Sequence, residues 1–90
     1  MSDNTDDLLH TPVGWVRQGR ELTREFRFKN FYATMSFVNA VAHLANAADH
    51  HPDLAVSYNK CGIKLTTHDA GGITAKDVIL AESISRLPEL

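Results

Sequence analysis

Apolar and polar residues first alternate along this 90-residue chain with a period of two, then recur every three to four positions, and then repeat both patterns. Trp15 to Gln18 favour a short strand, Gly19-Arg20 supply turn chemistry, and Leu22 to Phe28 run extended. Leu22, Phe26 and Phe28 share one face of that second strand and Thr23, Glu25 and Arg27 the other, with Arg24 interrupting the apolar row. The result is a hairpin with one wet side. Asn30 suits an N-cap, and from Phe31 onward Met35, Val38, Ala42, Ala45 and Ala48 recur at helical spacing, widened by Phe37, Val41 and Leu44. A long helix is predicted, ending at the His51-Pro52 step because proline pushes its predecessor out of helical geometry. Leu54, Val56 and Tyr58 then alternate with Ala55, Ser57 and Asn59, and Cys61, Ile63 and Leu65 alternate with Gly62, Lys64 and Thr66 across an Asn59-Lys60 turn. After Ala70-Gly71-Gly72, Thr74 and Asp77 form a capping box and Ile73 staples onto Val78, opening a helix to about Leu87.

The element order is strand, strand, helix, strand, strand, helix. It predicts a two-layer α+β fold in which two amphipathic helices cover one face of a four-stranded antiparallel sheet. The other face is left for water or a second subunit. Residues 1–12, with Asp3, Asn4, Asp6 and Asp7, read as a flexible arm, and residues 13–90 as one domain. A chain this short buries only roughly 60 to 65% of its unfolded surface, which favours a homodimer or homotetramer. Nine basic against eleven acidic residues give a net charge of −2, so no footprint for nucleic acid is expected. Met1 to Asp7 lack the cationic and apolar regions of a secretion signal, and no stretch approaches the ~18 apolar residues of a membrane span; a cytoplasmic protein is expected.

The chemically loaded segment is Asp49-His50-His51-Pro52, answered by His68. Histidine donates and accepts protons near neutrality, so three imidazoles able to border one cleft suggest an acid/base site. His50 lies at the helix C-terminus, where unpaired carbonyls favour imidazolium, although capping those carbonyls is an equally ordinary use. His68 opens the loop His68-Asp69-Ala70-Gly71-Gly72, which can border a pocket. No metal is expected: adjacent His50 and His51 diverge in extended geometry, and no HExxH spacing is present. Nucleophilic catalysis is disfavoured, because Cys61 lies in an apolar strand pattern and reads as a buried hydrophobe. Asp77 reads as a helix cap before a catalytic group. His10, in the arm, and His43, on the helix, receive no role.

Taken together, Asp49-His50-His51-Pro52, Tyr58-Asn59-Lys60, Thr66-Thr67-His68 and Asp77 resemble the pterin-4a-carbinolamine dehydratases. The likeness extends through Gly14-Trp15 and Phe26 to Phe31, covering about Val13 to Ile84. It implies a two-layer α/β fold and the dehydration of 4a-hydroxytetrahydrobiopterin to the quinonoid dihydropterin, with no cofactor. It implies His50 and His68 as the acid/base pair, His51 as a substrate holder, and Asp49, Thr66, Thr67 and Asp69 beside the bound pterin. Two positions depart from the family. Asn46 stands where an acidic residue is usual, and Leu54 where vertebrate members carry an aromatic. An amide can hydrogen-bond but brings no full charge. The alternative implied by relatives of this fold is a weakened member acting as a protein-interaction, dimerisation or assembly factor.

Overall fold

The computed structural model describes residues 9–87. Strands β1 (Val16–Gln18) and β2 (Glu21–Arg27) form the first hairpin, and α1 (Phe31–Ala48) follows. The second hairpin is β3 (Asp53–Ser57) and β4 (Lys60–Leu65); a short 3-10 turn at His68–Ala70 and then α2 (Ala75–Ser85) complete the order expected from the pattern. The sheet is antiparallel with strand order β1-β2-β4-β3, so α1 carries the chain from β2 to the far edge and β4 returns to the middle.

Register explains the core. Leu22 pairs with Leu65 and Phe26 with Cys61, so their side chains form rows on one sheet face. Phe37, Val41 and Ala45 of α1 and Val78, Leu80, Ala81 and Ile84 of α2 are buried against that face. Phe37 packs between Phe26 and Phe28 with tilted rings, at centroid distances of 4.7 and 4.9 Å. Each Phe, Leu, Ile or Val among them contributes roughly 1.5 to 3 kcal/mol on leaving water.

Arg24 sits in the apolar row without being buried as an isolated charge. Its guanidinium carbon lies 4.3 Å from the Phe26 ring centroid, and its Nη1 donates to Ser85 Oγ at 3.2 Å. Trp15 Nε1 donates to the same hydroxyl at 2.8 Å. Gly14, at φ +89°, closes this corner: a Cβ there would lie 2.6 Å from Arg24 Nη1. The backbone angle favours glycine, and a side chain there would also displace the Arg24 guanidinium from its place.

The buried stripe of α1 is centred differently from the sequence expectation. Ala33, Thr34, Phe37, Val41 and Ala45 are buried, while Ala42 and Ala48 are exposed. Alanine marks a face weakly, and the large side chains Phe37 and Val41 decide the rotation of the helix. The helix also ends at Ala48, three residues before the His51-Pro52 step. Near the start of the described residues, Leu9 packs against the core and His10 Nε2 lies 2.8 Å from Glu82 Oε2. The remainder of the expected arm, residues 1–8, lies outside the described residues. Among those described, no helix is long and apolar enough to cross a membrane.

Candidate active site

The local cause of the site is the way α1 stops. Asp49 adopts a left-handed conformation at φ 51°, ψ 43°, its N–H reaching the carbonyls of Ala45 and Asn46. His50 N–H donates to Ala45 O at 3.1 Å. This is a Schellman arrangement, built on aspartate in the place glycine usually takes. Aspartate is among the few non-glycine residues that enter this region readily. The turn, rather than proline, throws His50 and His51 off the helix; Pro52 then leads extended chain into β3.

His50 lands on Asp77. Its Nε2 lies 2.5 Å from Asp77 Oδ1, with the imidazole 12% and the carboxylate 0% exposed. The same carboxylate closes the N-terminus of α2, where Asp77 Oδ2 accepts from Thr74 N–H at 2.9 Å and from Thr67 Oγ1 at 2.7 Å. The Thr74 and Thr67 hydroxyls are 2.8 Å apart. Three hydrogen bonds give both oxygens of this buried carboxylate a partner. Because a carboxylate only accepts, His50 donates from Nε2. Its Nδ1 is then the atom free to take up or release a proton. The capping box read from Thr74 and Asp77 is present, and that reading accounted for only half of what Asp77 does.

His51 is held by a different element. Its Nε2 lies 3.0 Å from Asn46 Oδ1 on the last turn of α1, so the amide oxygen accepts from the ring N–H. His68 begins the 3-10 turn, directly after Thr67, and is exposed. Asp69 and Thr67 line a shallow concavity with Thr74 and Lys76. Thr66 Oγ1 donates to Arg20 O at 2.6 Å, fastening the β1–β2 turn to the end of β4.

Antiparallel pairing of Asp53 with Lys64 puts the residues entering β3 and those leaving β4 at the same end of the sheet. The chain of bonds from His50 through Asp77 to Thr67 ties the two segments together there. All three histidines therefore belong to one end of the molecule. Two of them open onto different concavities: His50 onto a groove between the helices with Leu44, Ala48, Ile79 and Leu80, and His68 onto a hollow with Gln18, Arg20, Glu21 and Thr66.

Sequence reasoning underweighted Asp77 as a site residue and did not place Gln18, Arg20 and Glu21 beside His68. Asp77 was findable, because a capping carboxylate has two oxygens and a capping box occupies only one. The β1–β2 turn carried no such signal, since its proximity to His68 depends on β4 pairing with β2 across some forty residues of chain.

Comparison with known proteins agrees with the family resemblance read from the sequence. A family model described as pterin 4 alpha carbinolamine dehydratase matches residues 2–87. A protein of Thermomicrobium roseum carrying the pterin-4-alpha-carbinolamine dehydratase name is 51% identical over 80 residues, 89% of this chain and 86% of the relative. A relative from Chromobacterium violaceum with the same name is 47% identical, covering 98% of this chain and 85% of its own length. Among solved structures, the transcriptional coactivator/pterin dehydratase of Brucella melitensis superposes with a TM-score of 0.82 at 29% identity, over 94% of this chain and 93% of that one. A pterin dehydratase-like RuBisCO assembly factor of the alpha-carboxysome superposes at 0.68 with 23% identity, over 83% and 89% of the two chains, a likeness of fold.

Proposed function

The chain belongs to the pterin 4 alpha carbinolamine dehydratase family, and from that premise we propose that it eliminates water from 4a-hydroxytetrahydrobiopterin, giving quinonoid dihydrobiopterin in the recycling of tetrahydrobiopterin. The observation that carries this reading is the buried Asp77 carboxylate against His50 Nε2, in a chain whose other two site histidines lie at the same end of the sheet.

The reaction breaks the C4a–O bond and forms a C4a=N5 double bond. One proton goes to the departing hydroxyl, which leaves as water, and one is removed from N5, so charge and atoms balance. Two positioned side chains, one donating and one accepting a proton, suffice for both transfers. His50 and His68 are the acid/base pair in this reading. Asp77 fixes the tautomer of His50, so that neutral His50 presents an Nδ1 lone pair and protonated His50 an Nδ1–H. His51, oriented by Asn46, holds the substrate with Asp49, Thr66, Thr67 and Asp69 around the ring. No cofactor or metal enters the reaction as written.

The test is elimination from freshly made 4a-hydroxytetrahydropterin by the wild type, His50→Ala and His68→Ala. The reading expects losses of about 10² to 10⁴ in kcat for each variant. Equal rates in all three, or no rate above background, would reject it.

The same reading places the protein in the cytoplasm, whose reducing conditions suit a lone cysteine, as a homodimer or homotetramer. Support for self-association comes from β3, an edge strand exposed along its whole length. Its Leu54 and Val56 pair with Ile63 and Cys61 on the apolar face, and Tyr58 stacks on Phe31 at 6.5 Å beyond its end. An open edge with apolar side chains invites a second strand.

A further inference from the structure

We infer that two protomers pair β3 with β3 in antiparallel register about Ala55, and that this seam completes the candidate active site: the partner's Tyr58 packs on Pro52, directly after His51, as a positioning residue for that histidine. The inference rests on the dehydratase reading and on self-association at β3, and it names the residue each protomer lends to the other.

The strand's own pairing fixes the register. β3 lies at one edge of the sheet with all five residues exposed, whereas β1 at the opposite edge offers three. Ser57 and Lys60 flank a two-residue turn, and Ala55 and Asp53 pair with Gly62 and Lys64. In such a hairpin the backbone groups of Ser57, Ala55 and Asp53 are spent on β4, and those of Leu54 and Val56 point outward. A second copy therefore bonds through Leu54 and Val56. Centred on Ala55, the pairing sets Leu54 against the partner's Val56, and Val56 against the partner's Leu54. Sliding the copy by two residues brings Val56 against Pro52, which has no N–H, or Leu54 against the turn residue Tyr58.

The side chains agree with that register. On the helix-covered face, Cys61 and Val56 of one protomer continue into the partner's Leu54 and Ile63 as one apolar row. Leu54 and Val56, 36% and 39% exposed in the single chain, are covered by it. On the other face Asp53 comes opposite the partner's Ser57, which neighbours the partner's Lys60. Serine is short enough to leave the carboxylate an open path to that ammonium, and neither Asp53 nor Lys60 has an ion pair among the described residues. Symmetry repeats the pair. Ala55 meets its own copy on the two-fold axis, where a charged side chain would meet its like.

The same register carries Pro52 opposite the partner's Tyr58. Pro52, Leu54, Val56 and Tyr58 share strand parity, so the two rings meet on one face. Tyr58 is preset for the contact: it is 63% exposed, Phe31 stacks on it at 6.5 Å with planes 11° apart, and its carbonyl accepts from Thr34 Oγ1 at 2.9 Å. The bond from Phe28 N–H to Asn59 O, 2.8 Å, fastens the same turn. His51, by contrast, is exposed and has one side-chain tether, Asn46 Oδ1 at 3.0 Å. One bond lets the imidazole swing with its backbone; a ring clamped on Pro52 holds that backbone still.

The experiment has a structural arm and a kinetic one. Across a non-hydrogen-bonded antiparallel pair the Cα atoms lie about 4.5 Å apart, within disulfide reach. Ala55→Cys should therefore cross-link into a dimer on oxidation and Val56→Cys should not, with the native Cys61 buried and silent. Tyr58→Ala should stay dimeric by light scattering but raise KM about fivefold at near-wild-type kcat, the worth of one hydrogen bond to substrate. Tyr58→Phe, which keeps the ring, should rescue it. Tyr58→Ala and His51→Ala chains refolded together should regain turnover at wild-type KM, because one site of the mixed dimer joins an intact His51 to the partner's intact Tyr58. No cross-link at Ala55, a wild-type KM in Tyr58→Ala, or no recovery on mixing overturns the inference. The cross-link needs no turnover, and calorimetric affinity for 7,8-dihydrobiopterin reads the same loss and recovery. Absence of elimination with these results intact would sink the dehydratase reading alone.

Discussion

Replacing Asp77 by asparagine changes one atom's chemistry in the most constrained part of the site, and its consequences for stability and catalysis separate. Asp77 Oδ2 accepts from Thr74 N–H and Thr67 Oγ1, and Oδ1 from His50 Nε2. In the variant the amide oxygen has to stay with the two donors at the helix start, because turning the NH₂ toward Thr74 N–H would set donor against donor. The NH₂ then faces His50, which can bond it only by offering a bare Nε2. The proton moves to Nδ1, and the atom presented to substrate is in the wrong state for a neutral base. Exchanging charge-assisted for neutral bonds at Thr74 and Thr67 costs about 1 kcal/mol each, about 2 in all. For a domain of this size that lowers Tm by roughly 8 to 16 °C. The tautomer change costs about 10² to 10⁴ in kcat, or roughly 3 to 5 kcal/mol in activation free energy. Thermal melting, nitrogen NMR of the imidazole and single-turnover elimination read the three quantities. A folded Asp77→Asn protein with wild-type kcat, or with its proton still on His50 Nε2, would refute the reasoning.

Four further outcomes follow from the same geometry. Asp49→Gly relieves the left-handed aspartate and should hold or raise Tm, whereas Asp49→Val should lower stability by about 1 to 2 kcal/mol relative to the glycine variant in urea titration. Asn46→Leu removes the acceptor at His51 Nε2, so NMR should find mixed tautomers in place of a single Nε2–H form, with the loss appearing in KM more than in kcat. Val56→Glu at the exposed edge should shift the mass from light scattering toward the monomer at micromolar concentration, and a wild-type monomer there would contradict self-association. Burial pushes the Cys61 thiol above its ordinary value of 9.0. It should resist alkylation in the folded protein, and stability should fall as pH rises past about 9, where the unfolded chain ionises first; Cys61→Ala should lack that fall.

Much of this was legible from residue order. Period-two alternation located the strands of both hairpins, because each sheet face is either packed or wet and register has no freedom to slip. The second helix announced its start through Thr74 and Asp77. The end of the first helix was misplaced because Pro52 is a loud signal and Asp49 a quiet one; left-handed aspartate looks in sequence like any other aspartate. The buried stripe of α1 was blurred by its alanines, which fit either face. At the site, the histidines stood out by type and spacing, but the His50–Asp77 contact spans 27 positions and depends on how the two helices dock. The turn at Gly19-Arg20 reaches Thr66 across 46 positions, which no local pattern encodes.

The central claim is that the end of the sheet where α1 stops and β4 runs out holds a pterin between its histidines. A crystal of the wild-type protein soaked with 7,8-dihydrobiopterin tests it most directly. The ring is expected in contact with His51 and within hydrogen-bond reach of His50 Nδ1 and His68. A ring bound elsewhere, or one leaving His50 and His68 untouched, would contradict it.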